Sequence, residues 1–88
     1  MTTLRITFTS ASYDEDYVIL VRDSPKVRHA LKLRAEVIQQ GGDGGQDVEV
    51  ADRPANTSED DFIDWIVADI SQGDDDDEIY DAIEGAGR

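Results

Sequence analysis

The chain of 88 residues contains no cysteine, one histidine and two prolines. Without cysteine it can form no disulfide and no thiolate metal site, which fits a reducing compartment. No apolar run approaches the ~20 residues that span a bilayer. The first residues alternate in polarity instead of forming the apolar segment of a signal peptide. We therefore expect a soluble, cytoplasmic protein of a host cell, with no membrane partner.

Basic residues are scarce in the second half of the chain. Residues 41–88 carry sixteen acidic and two basic residues, whereas residues 1–40 carry five acidic and six basic residues. The net charge of the whole chain is −13. Because phosphate binding needs a basic surface, we expect no direct contact with nucleic acid. The same charge attracts proteins that bind nucleic acid.

The first half predicts two strands and one helix. Polarity alternates over residues 3–10, and an apolar run covers residues 17–21. We expect an antiparallel hairpin in which the second strand is the more central one. Ser24 and Pro25 are a helix-start signal, because serine caps free amides and proline has a preset φ. The glycine pair at 41–42 should end this helix.

The second half predicts one strand and two helices. Val48 and Val50 alternate with acidic residues, which indicates a short third strand with an acidic polar face. Thr57 or Ser58 should cap a second helix, whose first turn is acidic. The aspartate run at 74–77 should cap a third, short helix, and the C-terminal Gly-Ala-Gly-Arg should fray.

Together these elements predict a single α+β domain over residues 1–88, in the order β-β-α-β-α-α. We expect an antiparallel three-stranded sheet covered by helices. A near-neutral ββα half spans residues 1–40, and a strongly acidic βαα half spans residues 41–88.

No motif for catalysis or cofactor binding is present. His29 has no nucleophile motif beside it, and the glycines at 41–45 lack the lysine and serine of a phosphate-binding loop. Asp74–Asp77 with Glu78 lack the alternate spacing and central glycine of a calcium loop. We therefore expect no enzyme, no catalytic residue, no metal site and no cofactor. Cation binding by the aspartate run stays the minor alternative.

The first helix is basic, with Lys26, Arg28 and Lys32, and Arg34 falls on its apolar stripe. These cations could contact nucleic acid or offset the acidic half of the same chain. Given the net charge, the intramolecular role is favoured.

The acidic residues of the two later helices are the best candidates for a binding site. Acids three and four residues apart share a helix face, and like charges so close cost stability. DNA presents a phosphate about every 3.4 Å along a strand, so a carboxylate ribbon can occupy Arg and Lys rows that hold phosphates. The candidate partner-binding residues are Glu59, Asp60, Asp61, Asp64, Asp69, Asp74, Asp75, Asp76, Asp77, Glu78 and Asp81. Simple solubility is the alternative.

Residues 57–84, TSEDDFIDWIVADISQGDDDDEIYDAIE, resemble in composition the acidic inhibitors of phages and mobile elements. These are the anti-CRISPR and antirestriction DNA mimics. The resemblance implies a non-enzymatic inhibitor that needs no cofactor. Its partner would be the basic groove of a DNA- or RNA-binding protein, such as a CRISPR effector complex or a restriction enzyme.

Two other interpretations remain open. Aspartate outnumbers glutamate 15 to 6 and arginine outnumbers lysine 6 to 2, as in salt-adapted proteins, although the first half is near neutral. The opening over residues 3–40 is similar to the ubiquitin-like β-grasp fold. The alternative function is therefore a salt-adapted or ubiquitin-like protein-interaction domain.

Trp65 can help to place the binding surface. It belongs to the core if it is buried with Phe62 and Ile66. It is an interface anchor if it is exposed beside Asp61 and Asp64.

Overall fold

The structure, a computed structural model, describes residues 2–9, 16–41, 44–71 and 76–86. It confirms an α+β domain with three antiparallel strands in one sheet and three helices, in the predicted order. The elements are β1 (Thr3–Thr9), β2 (Tyr17–Arg22), α1 (Pro25–Gln39), β3 (Gly45–Ala51), α2 (Glu59–Ile70) and α3 (Asp76–Ala86).

The sheet has the order β2-β1-β3, so β1 is the central strand. The expectation that residues 17–21 form the more central strand is therefore wrong. Ile6 of β1 lies opposite Ile19 of β2 on one side and opposite Val48 of β3 on the other. Of the apolar run of β2, Ile19 and Val21 are buried beneath the helices, whereas Tyr17 and Val18 are exposed. The connector before α2 bonds to the outer edge of this strand at Leu20.

The core lies between the helices and one face of β1 and β2. β1 contributes Leu4, Ile6 and Phe8, and α2 contributes more buried apolar side chains than either of the other two helices. The remaining members are Ile19, Val21, Val27, Ala30, Leu31, Phe62, Ile63, Ile66, Val67 and Ile83. The apolar side chains of β3 are not among them: α1 contacts the start of this strand at Gly45 and Gln46, but Val48 and Val50 stay exposed.

Serine caps begin the first two helices. The Ser24 hydroxyl accepts from the Val27 N–H at 3.2 Å, and the Ser58 hydroxyl accepts from the Asp61 N–H at 3.1 Å. Ser58, not Thr57, is therefore the cap of α2. α1 ends ahead of Gly41, whose φ of +106° favours glycine.

α3 begins at Asp76, inside the aspartate run, and continues through Gly85 to Ala86. The expectation that Gly85 and Ala86 fray is therefore wrong. Ile83 is buried and Glu84 forms an ion pair with α1, which holds the last turn in place. Ser10, Gly42, Asp74 and Asp75 lie outside the described residues, as do the last two residues of the chain.

Candidate functional site

α2 and α3 carry only one sign of charge. Each helix has five acidic residues and no basic residue. The first turns hold three acids each, where they stabilise the positive end of the helix dipole. Capping therefore explains six of the ten acids. The other four lie beyond the first turns: Asp64, Asp69, Asp81 and Glu84.

A hydrogen bond joins the acidic faces of the two helices. The Tyr80 hydroxyl of α3 donates to Asp64 Oδ1 of α2 at 2.6 Å. This bond raises the pKa of Tyr80, and partial burial and the charges of Asp64 and Asp76 raise it further. Asp64 and Asp76, from different helices, thus surround one phenol. The fold therefore brings acids from both helices into one surface.

Two acids of these helices face α1 instead. Asp69 accepts from Arg34 Nε at 2.9 Å, and Glu84 accepts from Lys26 Nζ at 3.3 Å. Asp69, a candidate partner-binding residue in the sequence, is therefore engaged inside the molecule. Its position indicates a structural role.

Arg34 is the buried centre of this contact, with only 7% of its side chain exposed. Besides Asp69, its Nη1 donates to the Gly45 carbonyl at 3.4 Å and to Gln46 Oε1 at 3.1 Å. The guanidinium carbon lies 4.7 Å from the centre of the Phe8 ring and 5.6 Å from that of Trp65. In the sequence, the only indication of this role was that Arg34, a charged residue, falls on the apolar stripe of the first helix.

Trp65 lies at the margin of the core. It is half-buried, and its ring centre is 4.6 Å from that of Phe8 and 6.2 Å from that of Tyr17. These contacts and Arg34 place its ring against β1, β2 and α1. Trp65 is therefore a packing residue and not an exposed anchor beside Asp61 and Asp64.

The cations of the first half mostly form intramolecular pairs. Lys26 and Arg34 pair with acids of α3 and α2, and Arg5 pairs with Glu49 of β3. Arg28 pairs with Asp23 at 2.9 Å, and this hydrogen bond holds the pKa of Asp23 below its usual value. These contacts support the intramolecular role that the sequence favoured. Arg22 and Lys32 have no ion-pair partner among the described residues.

What remains is a set of exposed acids without a cation partner among the described residues. We call it the acidic surface: Asp60, Asp61, Asp64, Asp76, Glu78 and Asp81. Asp77 is exposed next to these residues, and Glu59 is half-buried at the start of α2. Asp74 and Asp75, the other two candidates, fall outside the described residues.

Within the described ranges, no three His, Cys, Asp or Glu side chains are grouped so as to hold a metal ion. The described helices are also too short or too polar to cross a membrane. His29 is half-buried on α1.

The fold and its surface thus define a small α+β domain with one acidic, helical side. Neither a family model, nor a curated protein, nor a solved structure matches the chain.

Proposed function

We propose that the protein is a non-enzymatic inhibitor that mimics the charge of nucleic acid. Its acidic surface would occlude the basic DNA-binding groove of a nucleic-acid-binding complex, such as a CRISPR effector or a restriction enzyme. The observations that carry this proposal are the absence of cations from α2 and α3 and the lack of an ion-pair partner, among the described residues, for the six members of the acidic surface.

The charges of this surface are held on a rigid support. α2 buries Phe62, Ile63 and Ile66 in the core, α3 buries Ile83, and the bond from Tyr80 ties the two helices together. Carboxylates fixed in this way can face Arg and Lys side chains without a large loss of conformational entropy on binding. Inhibition by occlusion needs no cofactor.

The distribution of ion pairs supports a role for the acidic residues of α2 and α3 beyond keeping the protein soluble. Where α2 and α3 meet α1, a cation faces each of two acids, Asp69 and Glu84. For the six residues of the acidic surface no such cation is found in the described parts of the chain. Solubility alone is served by mixed charges, and a surface of one sign costs stability. A binding role for the excess charge explains why this cost is tolerated.

A salt-adapted or ubiquitin-like interaction domain is the second candidate. Its salt-adapted version is favoured by exposed acids outside α2 and α3 that also lack an ion-pair partner in the described ranges, namely Asp16, Glu36, Asp47 and Asp52. Adaptation to salt predicts that the chain folds only at molar salt, which the inhibitor proposal does not require.

The experiment that tests the proposal has two stages. The immobilised chain is first used to capture proteins from host lysate at low and high salt, and the retained protein is identified and purified. Fluorescence anisotropy then measures whether the free chain displaces a labelled DNA duplex, or RNA for an RNA-binding target, from that protein. We expect displacement that weakens steeply as salt rises. Captured proteins that do not bind nucleic acid, or that keep it bound at saturating inhibitor, would contradict the proposal.

A further inference from the structure

The two outer edges of the sheet, formed by β2 and β3, differ in their contacts with the rest of the described chain. On the outer edge of β2, the Leu20 N–H donates to Asn56 Oδ1 at 3.1 Å. The Leu20 carbonyl accepts from the amides of Asn56 and Thr57, both at 3.0 Å. Thr57 also forms a parallel bridge with Val21. The connector before α2 therefore covers this edge at Leu20 and Val21.

Among the described residues, no segment covers the outer edge of β3 in this way. β3 pairs with β1 over its whole length, and no other described segment pairs with it. In an antiparallel strand, every second residue directs its N–H and C=O groups away from the paired neighbour. An open edge of this kind is a template for a further strand.

The side chains of β3 divide into an apolar and an acidic side. Val48 and Val50 lie opposite Ile6 and Leu4 and thus on the core-facing side of the sheet, yet they are 41% and 74% exposed. Asp47 and Glu49 lie on the opposite side and are exposed. Added strands pack against such side chains through cross-strand pairs.

The charge of β3 selects the kind of strand that fits. Pairing two copies antiparallel about Val48 would set the Asp47 of each copy against the Glu49 of the other. It would also join two chains of net charge −13. A basic segment reverses both effects, because its Lys or Arg residues face Asp47 and also Glu49, which already pairs with Arg5, while its apolar residues cover the valines.

We infer that β3 is a docking edge for an extended segment of a partner protein that alternates apolar residues with Lys or Arg. The segment would add a fourth strand to the sheet beside β3. The inference goes beyond the proposed function, because it involves β3 and not the acidic surface of α2 and α3.

A short acetylated and amidated peptide that alternates valine and lysine tests the inference. We expect it to shift the amide NMR signals of β3 and to slow hydrogen exchange of the outward amides of this strand. The same peptide with N-methyl groups at alternate positions keeps its charge but cannot form strand hydrogen bonds. It should bind at least tenfold more weakly, since it loses several hydrogen bonds.

Two variants distinguish peptide binding at β3 from peptide binding at the acidic surface. Val48→Thr with Val50→Thr keeps the β-branched shape and should weaken peptide binding roughly tenfold, through lost apolar contact. Asp60→Asn, Asp61→Asn and Asp64→Asn together should change the affinity by less than about twofold at physiological salt, because α2 begins beside β2, at the edge of the sheet opposite β3, and salt screens the remaining attraction.

Three results would overturn the inference. The first is equal binding of the N-methylated peptide, or loss of binding in the triple asparagine variant, because either result assigns the peptide to non-specific charge. The second is no binding at millimolar peptide. The third is a dimer in analytical ultracentrifugation that dissociates in the double threonine variant, since the occupant would then be a second copy.

Discussion

Tyr80 and Asp64 connect α3 to α2 through a hydrogen bond of 2.6 Å between the phenol and a carboxylate oxygen. The contacts of α1 are different, because ion pairs join it to α2 and α3 through Arg34 and Lys26. Since neither α2 nor α3 has a basic residue, an uncharged phenol is the donor that links them. The pair thus joins the helices without neutralising the acidic surface.

Tyr80→Phe should destabilise the fold by about 1 kcal/mol. The change removes the donor to a charged acceptor, but the bond is exposed and so contributes at the low end of its range. Urea denaturation followed by circular dichroism measures the difference. An unchanged free energy of unfolding would show that the bond does not hold α3 against α2.

Stability should fall at high pH in a manner that depends on Tyr80. The pKa of Tyr80 is raised in the folded state, so the contribution is complete below the ordinary tyrosine pKa of about 10. As pH rises from there through the folded pKa, the unfolded chain loses this proton first and stability is lost. The difference in unfolding free energy between the wild type and Tyr80→Phe should shrink over that range. A constant difference would contradict the raised pKa.

Arg34→Ala should be far more damaging than Asp69→Asn. The arginine is buried and holds three partners and two rings, so its loss should cost about 2–3 kcal/mol. The Asp69 carboxylate is 41% exposed, and its neutral replacement should cost about 1 kcal/mol or less. Thermal unfolding ranks the two variants. Asp69→Asn should also leave target binding intact. A large loss of binding would show that Asp69 does contact the partner.

Salt should stabilise the wild type by screening repulsion on α2 and α3. Asp60→Asn, Asp61→Asn and Asp64→Asn together should relieve about 0.2–0.5 kcal/mol for each repulsive pair removed. The gain is offset at low salt, because the variant also loses two first-turn acids at the helix dipole and the charged acceptor of the Tyr80 bond. The melting temperature of this variant should also depend less on salt. Melting curves at low and molar salt test this. If the wild type unfolds cooperatively at low salt, the salt-adapted alternative is disfavoured; a requirement for molar salt would favour it.

The local parts of the fold could be predicted from the sequence. Ser24 and Ser58 cap the first two helices because hydroxyl capping depends on residues within one turn. The order of elements followed in the same way from periodicity. The central position of β1 could not be predicted, because the apolar run of β2 fits both burial beneath helices and pairing on both edges.

Contacts between residues far apart in the sequence also could not be predicted from local sequence patterns. The acids of α2 look equivalent in the sequence, but Asp69 faces Arg34 and Asp64 faces Tyr80. The separation of these roles depends on how α1 and α3 pack around α2. The exposure of Val50 has a similar cause, since alternation predicts a strand but not where the covering helices stop.

The most direct test of the acidic surface compares two variants of equal charge in the displacement assay. Asp60→Asn, Asp61→Asn and Asp64→Asn remove three charges from that surface. Asp16→Asn, Glu36→Gln and Asp52→Asn remove three exposed charges elsewhere. With folding confirmed by circular dichroism, we predict that the first variant no longer displaces nucleic acid from the captured target, whereas the second does so almost as well as the wild type. Undiminished displacement by the first variant, or an equal loss in both, would contradict the assignment of the acidic surface as the binding site.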